Sequence, residues 1–271
     1  MILLGPNKKR REVDDFFFKK KKKQEPVPEI MPEPAPEVSP GGSRVLRHEE
    51  PESRDFIPPA GTGNMDEICA HFDKLFPQRE TSVFHEIVSD LLHIDVHIMK
   101  PTAEDDFFVI YTTGMSDLPM TLPEDMPEQP KWMFAELFML LPAHWNPGAA
   151  LSLSTEIPHS DYWPINLIKL LARLPHDYKT WLGAGHTIPN GPDYEPLLEG
   201  SDMAGAVIMG VDESYSPLKL DNGDEINFYM AIPASQAEIE YKLGHGMDAM
   251  CELFDEHKVS MIVDIFRKSC I

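Results

Sequence analysis

Cysteine is scarce in this chain. Its 271 residues contain three, Cys69, Cys251 and Cys270, with no CxxC spacing among them. That excludes a disulfide scaffold and fits thiols packed as small hydrophobes in a reducing compartment. Long hydrophobic runs are missing as well. The longest, Met133 to Leu141, contains Glu136 and falls well short of the roughly 20 residues that a membrane span needs. Met1-Ile-Leu-Leu ahead of the basic cluster is too short for a secretory signal, so a cytoplasmic location is expected. Positive charge is outnumbered, 24 Lys+Arg against 45 Asp+Glu, for a net charge of −21. Catalytic signatures are absent too: there is no GxxxxGK[ST] phosphate loop and no GxSxG elbow, and Gly183-Ala-Gly185 has Ile188 where a dinucleotide fingerprint needs its third glycine. No cofactor is expected.

Proline is abundant, at 26 residues, and unevenly placed. Residues 1–61 hold ten of them and no tryptophan, with charges nearly balanced at 12 basic and 11 acidic. Residues 62–271 hold every Trp and Cys and carry 12 basic against 34 acidic groups. The division predicts a disordered arm over 1–61 and one acidic globular domain over 62–271. Such a domain can bury its own core without help from a metal, repels nucleic-acid phosphates and favours basic protein partners. Within the arm, Lys8-Lys-Arg-Arg11 and Lys19 to Lys23 flank Asp14-Asp-Phe-Phe-Phe18. Glu25 to Glu37, with five prolines in thirteen positions, reads as an extended polyproline-like spacer. The basic clusters resemble a nuclear import signal or an anion-binding tail, although a plain solubilising tail explains them equally well.

The hydrophobic period alternates along the domain. Ile68, Phe72 and Leu75 predict a helix over 65–75 behind Asn64. Residues 91–99 and 106–113 read as paired strands joined by the acidic turn Glu104-Asp-Asp106. Residues 131–141 fit either helix or strand. Tyr162 to Leu174 is the clearest helix, and Leu182 to Pro189, Ala206 to Val211 and Ile226 to Ile232 read as strands. Three closing helices are expected over 237–243, 247–257 and 259–267. This order describes an α+β fold, a mixed sheet packed with helices.

Two constellations could carry chemistry. His93, Asp95 and His97 lie at i, i+2, i+4, with His85 upstream, and imidazole and carboxylate at that spacing suit a zinc or iron ion or a general base. Equally, they are the solvent face of a half-buried strand whose inner face is Leu92, Ile94, Val96 and Ile98. The second constellation is aromatic. Trp132, Trp145, Tyr162, Trp163 and Trp181 fall within 50 residues, and any of them left exposed among acids would suit a basic protein partner.

Several blocks, in order, resemble the Suppressor of fused family: Thr112-Thr-Gly-Met-Ser-Asp117, Ala135-Glu-Leu-Phe-Met-Leu-Leu-Pro-Ala-His-Trp145, Tyr162-Trp-Pro164 leading to Leu170-Leu-Ala-Arg-Leu174, Gly185-His186, and Asn227-Phe-Tyr-Met-Ala-Ile-Pro233 with Glu238-Ile-Glu-Tyr-Lys242. They run from about residue 82 to 257. The resemblance implies a mixed sheet, assigns Ala135 to Leu141 to a strand, and implies a protein-binding function rather than an enzymatic one. Animal members clasp an extended peptide beside a sheet edge. Bacterial relatives are associated with toxin systems as immunity proteins. Gly185 and Leu174 depart from the animal pattern, which has Asp and Tyr there, within the peptide groove. The expected function is therefore a non-enzymatic immunity protein that neutralises a basic toxin domain, with Asp117, Asp161, Trp163 and His186 as partner-binding residues. The alternative is a metal-dependent enzyme using His93, Asp95 and His97.

Overall fold

A computed structural model describes residues 37–48, 56–58, 63–86, 89–152 and 157–271. All of them fall in one compact unit, Pro36–Ile271; the basic clusters and the Pro/Glu spacer belong to Met1–Ala35 and the stretch beside it, outside the described residues. The elements in chain order are α1 (Met65–Leu75), β1 (Thr81–Phe84), β2 (Asp95–Met99), β3 (Phe107–Thr113), β4 (Phe134–Pro142), α2 (Gly148–Leu151), α3 (His159–Asp177), β5 (Thr187–Pro189), β6 (Met203–Met209), β7 (Leu218–Lys219), β8 (Glu225–Ser235), α4 (Gln236–His245) and α5 (Met247–Glu256).

The strands form one mixed sheet in the order β1-β2-β3-β4-β8-β6-β5, with β7 added to β8. Among the described strands the β4–β8 pair is parallel and the others are antiparallel, β1–β2–β3–β4 forming one antiparallel run. Both faces of this sheet are covered. Ile94, Val96, Ile98, Ile110, Leu137, Met139, Ile208 and Ala231 point to one core, where α3 contributes Trp163, Ile168 and Leu171. Val109, Tyr111, Phe138, Val207, Phe228 and Met230 point to the other, under Ile68 and Phe72 of α1, Ile239 of α4, and Met250 and Phe254 of α5. Two-sided burial is why Phe107 to Tyr111 and Phe134 to Leu141 are nearly continuous apolar runs, and why the second could not be told from a buried helix by its period. The same fact corrects the picture of β2 as half-exposed: all five of its residues are buried, because α1 roofs the face that carries Asp95 and His97.

The second departure lies at the C-terminus. Residues 259–267 form no helix. Ile262 instead makes an isolated parallel bridge to Leu140, with Val263 N–H donating to the Leu140 carbonyl at 2.8 Å. Val263 and Ile265, two apart, enter the α3-side core together. A period of two, satisfied by pairing far along the chain, overrode a local pattern that also suits a helix. Two further strands, β1 and β7, have too few residues to register in the sequence.

Of the stretch assigned to the arm, residues 37–48 and 56–58 are described. The longer piece turns back on itself through a Val38–Arg44 bridge. Gly41 N–H donates to the Leu243 carbonyl at the end of α4. A Cβ on Gly41 would stand 2.3 Å from the Gly246 nitrogen, so only glycine fits this approach.

Candidate functional site

The motif residues 112–117 and 135–137 are joined by one side chain. Glu136 on β4 is fully buried, and among the described residues no cation pairs with it. Its Oε1 accepts from Gly114 N–H, Ser116 N–H and the Ser116 hydroxyl at 2.7–3.0 Å, and its Oε2 accepts from the Thr112 hydroxyl at 2.6 Å. Burial outweighs these four donors and pushes Glu136 up to about 7. Gly114 itself has φ +104, and a Cβ there would stand 2.0 Å from the His93 carbonyl oxygen. The carboxyl therefore shapes a tight turn, and the turn presses on the strand entry at His93. His176 of α3 holds the same turn from its other side, through a 3.0 Å contact with the Met115 carbonyl.

His93 and Asp95 do come together, but His97 does not join them. Its ring stacks on Tyr111 at 4.7 Å, its Nε2 meets the Thr113 hydroxyl at 3.0 Å and its Nδ1 faces Cys69 Sγ. Burial pushes this imidazole down to about 4. The metal-enzyme trio of His93, Asp95 and His97 thus loses its third member to the core under α1. The group that converges is His85, His93 and Asp95, with Nδ1, Nε2 and carboxylate oxygens all within 4.8 Å of one another.

The four residues expected to bind a partner occupy separate places. Asp117 ends the motif turn: its Oδ1 accepts from Gly63 N–H at 2.9 Å, while its Oδ2 is buried with no hydrogen-bond partner among the described residues. Burial raises its pKa. Asp161 lies in the first turn of α3, where a carboxylate meets the positive end of the helix. Its carbonyl accepts from the Trp145 indole at 2.9 Å and its carboxylate from Asn146 and Ser160. It braces the 145–146 turn and is not the helix cap, since the helix begins at His159. Trp163 is 5% exposed and packs in the α3-side core, which leaves it no surface to offer. His186 is half-buried, stacked edge-on against Trp181 at 4.2 Å, and held down at about 4 by burial and by the charge of Lys242.

His186 and Asp117 sit at two ends of one contact line. Thr121 N–H bonds the Thr180 carbonyl, and Leu182 N–H meets Met120 Sδ, so the motif loop runs beside the strand leading into β5. β5 is an edge of the sheet. Its inward pairs are fixed by Ile208 N–H to the His186 carbonyl and Asn190 N–H to the Ala204 carbonyl. By antiparallel alternation, Thr187 N–H and C=O then face outward, as does the Pro189 carbonyl, which accepts from Gly191 N–H at 3.1 Å. Trp181, whose indole N–H is buried without a partner among the described residues, and Lys242, 4% exposed, flank this edge from beneath. Exposed Asp193, Glu195 and Glu199 follow it in the next loop. Sequence reasoning reached His186, and Trp181 as one of five clustered aromatics, but missed Glu136 and Lys242. For Glu136 one signal was available, an acid inside an otherwise apolar strand.

A family model described as Suppressor of fused protein matches residues 90–268. No curated protein sequence matches the chain. Among solved structures, a suppressor of fused homologue from Neisseria gonorrhoeae FA 1090 aligns with a TM-score of 0.53 at 19% identity, covering 76% of this chain and 96% of that one. The Sufu–Fu complex aligns at 0.51 and 13% identity, covering 77% and 93%. These likenesses support the fold, and the family model covers well over half of the sequence, from the turn before β2 to the tail that locks α4. The chain belongs to the Suppressor of fused family.

Proposed function

We propose that this domain is a non-enzymatic binding protein that receives an extended segment of a basic partner along β5, and that its partner is a toxin domain which it neutralises in the cytoplasm. The observation that carries the reading is the open β5 edge with an acidic rim. The outward backbone N–H and C=O of Thr187 supply affinity without regard to the partner's sequence. Asp193, Glu195 and Glu199, on a domain of net charge −22, select for positive charge and speed encounter. His186 and Asp117 remain the side chains proposed to touch the partner, with Trp181 added. Asp161 is proposed to act by holding the α3 entry, and Trp163 by packing beneath it. The solved Sufu–Fu complex shows a relative engaged with a protein, which supports binding as the mode of action. Among the described residues, no helix is long and apolar enough to cross a membrane. Residues 62–271 are proposed as the binding domain and 1–61 as its arm.

The test is capture by the full chain at moderate salt, followed by expression of each captured protein alone and together with this chain. A basic protein that arrests growth alone and is silenced by co-expression supports the proposal. Capture of acidic or harmless proteins only, or capture that survives Thr187→Pro, which deletes the outward N–H of β5, refutes it.

A further inference from the structure

The end of β1 and the start of β2 bring two imidazoles and a buried carboxylate together. Ser89 Oγ lies 2.9 Å from Glu86 Oε2 and 2.8 Å from His93 Nδ1. Glu86 is ion-paired with Lys169 and Arg173. It can only accept. The single Ser89 proton therefore goes to Glu86, and both contacts are satisfied only if His93 Nδ1–H donates to Ser89. Nε2, the other ring nitrogen, points at Asp95 Oδ1 from 2.9 Å. An imidazole nitrogen and a carboxylate oxygen placed in this way can share a metal ion as they can share a proton.

The surroundings have the form of a metal site. Asp95 is buried and its Oδ1 also accepts from Glu86 N–H at 3.2 Å, while its Oδ2 takes His85 Nδ1 at 2.9 Å. The Ser89–Glu86 pair behind His93 is the outer support that orients a ligating imidazole. Glu86 is in turn clamped by Arg173, which also bonds the Asp90 and Leu92 carbonyls at 3.1 and 2.9 Å. The outer side is open, since the His85 side chain is 67% exposed and that of His93 29%. Ligand atoms around a tetrahedral zinc ion stand about 3.3 Å apart for bond lengths of about 2.0–2.2 Å, so the 2.9 Å contacts must open by a few tenths of an ångström and ligand atoms as much as 4.8 Å apart must close around the ion.

We propose that His85, His93 and Asp95 bind one divalent transition-metal ion of the zinc class, with solvent in the remaining position. Two imidazoles and one carboxylate suit zinc better than calcium or magnesium, which require oxygen ligands. The ion ties the end of β1 to the entry of β2, directly under the Gly114 turn. This goes beyond partner binding and uses none of the β5 edge.

The full chain, stripped with a chelator and exchanged into chelator-free buffer, is titrated with zinc chloride against a chromophoric competitor, and its zinc is counted by elemental analysis. One zinc per chain is expected. His85→Ala and His93→Ala are expected to abolish stoichiometric uptake. Ser89→Ala keeps all three ligands and is expected to weaken binding by about 10–100-fold, as loss of an outer partner does. His85 is on the surface, so its variant keeps the fold, checked by circular dichroism. No stoichiometric zinc in the wild type would overturn the proposal. So would uptake that His85→Ala leaves unchanged.

Discussion

Two glutamates, both without exposed surface, solve the burial of a carboxyl group in opposite ways. Glu136 in the motif turn is met only by neutral donors, two amides and two hydroxyls, and is pushed up to about 7. Glu238 at the start of α4 is met by the Arg267 guanidinium through both oxygens, at 2.6 and 2.8 Å, besides the N–H groups of Ser235 and Cys270. Those partners outweigh its desolvation and hold it below the ordinary value. Hydrogen bonds from neutral groups position a buried acid without securing its charge, whereas a guanidinium does both. The motif turn therefore responds to pH between the ordinary carboxylate value and neutrality, whereas the C-terminal clamp weakens only as pH falls below that ordinary value.

The largest effect should come from breaking the clamp. Arg267→Ala strands the Glu238 charge and removes a cation over Phe254, and is expected to cost about 3–5 kcal/mol of unfolding free energy by urea titration. A cost near zero would mean that Glu238 stays neutral, and the contrast would collapse.

The next test acts on Glu136. Its folded value lies above the ordinary 4.5, so its stabilising contribution is complete below about pH 4.5 and is lost as pH rises through about 7. His97 and His186 have the opposite sign. Their folded values of about 4 lie below 6.5, so their contribution is present above pH 6.5 and is lost as pH falls through about 4. In Glu136→Gln the amide can donate to Thr112 Oγ1, which then donates to the Leu137 carbonyl at 3.4 Å. The variant should therefore fold, and between pH 4.5 and 7 its stability should rise more steeply with pH than the wild type's. The difference across that window should be on the order of 3 kcal/mol. Parallel profiles would place the Glu136 charge on the same footing as that of Glu238.

Gly114→Ala probes the turn without touching charge. Both the positive φ and the 2.0 Å approach to the His93 carbonyl oppose a side chain. A loss of at least about 1–3 kcal/mol is expected in thermal unfolding, and a neutral result would show that the turn can relax. The smallest effect should follow Arg44→Ala, which removes the surface pair with Asp125. Global stability should hold, while amides of Ser39, Gly41 and Val45 should exchange hydrogen faster as Glu37–His48 loosens.

How much of this was legible beforehand depends on the range of the interaction responsible. α1, α3, α4, α5 and the cores of β2, β3, β6 and β8 follow from local period, because apolar residues must face a core wherever that core turns out to be. Motif blocks in order carried the family and resolved residues 134–142 as a strand. The candidate site was only partly legible. His85, His93 and Asp95 were all visible as residues, yet spacing along an ideal strand selected His97. The choice turned on whether α1 covers that face and on where the chain before β2 folds back, neither of which is a property of residues 93–97. Trp163 reads as a surface aromatic or a core one with equal ease, and only the packing of α3 on the sheet decides.

The sequence by itself determined the acidic, thiol-poor character of the chain, its helical and extended segments and its family, since composition, period and ordered motifs are local quantities. Tertiary structure alone decided that both sheet faces are closed, that the 259–267 tail is a clamp rather than a helix, that Glu136 is buried without a cation, and that His85 replaces His97 beside Asp95. Each of these depends on groups brought together from distant parts of the chain, where burial and partner charge, not residue type, fix what a side chain can do.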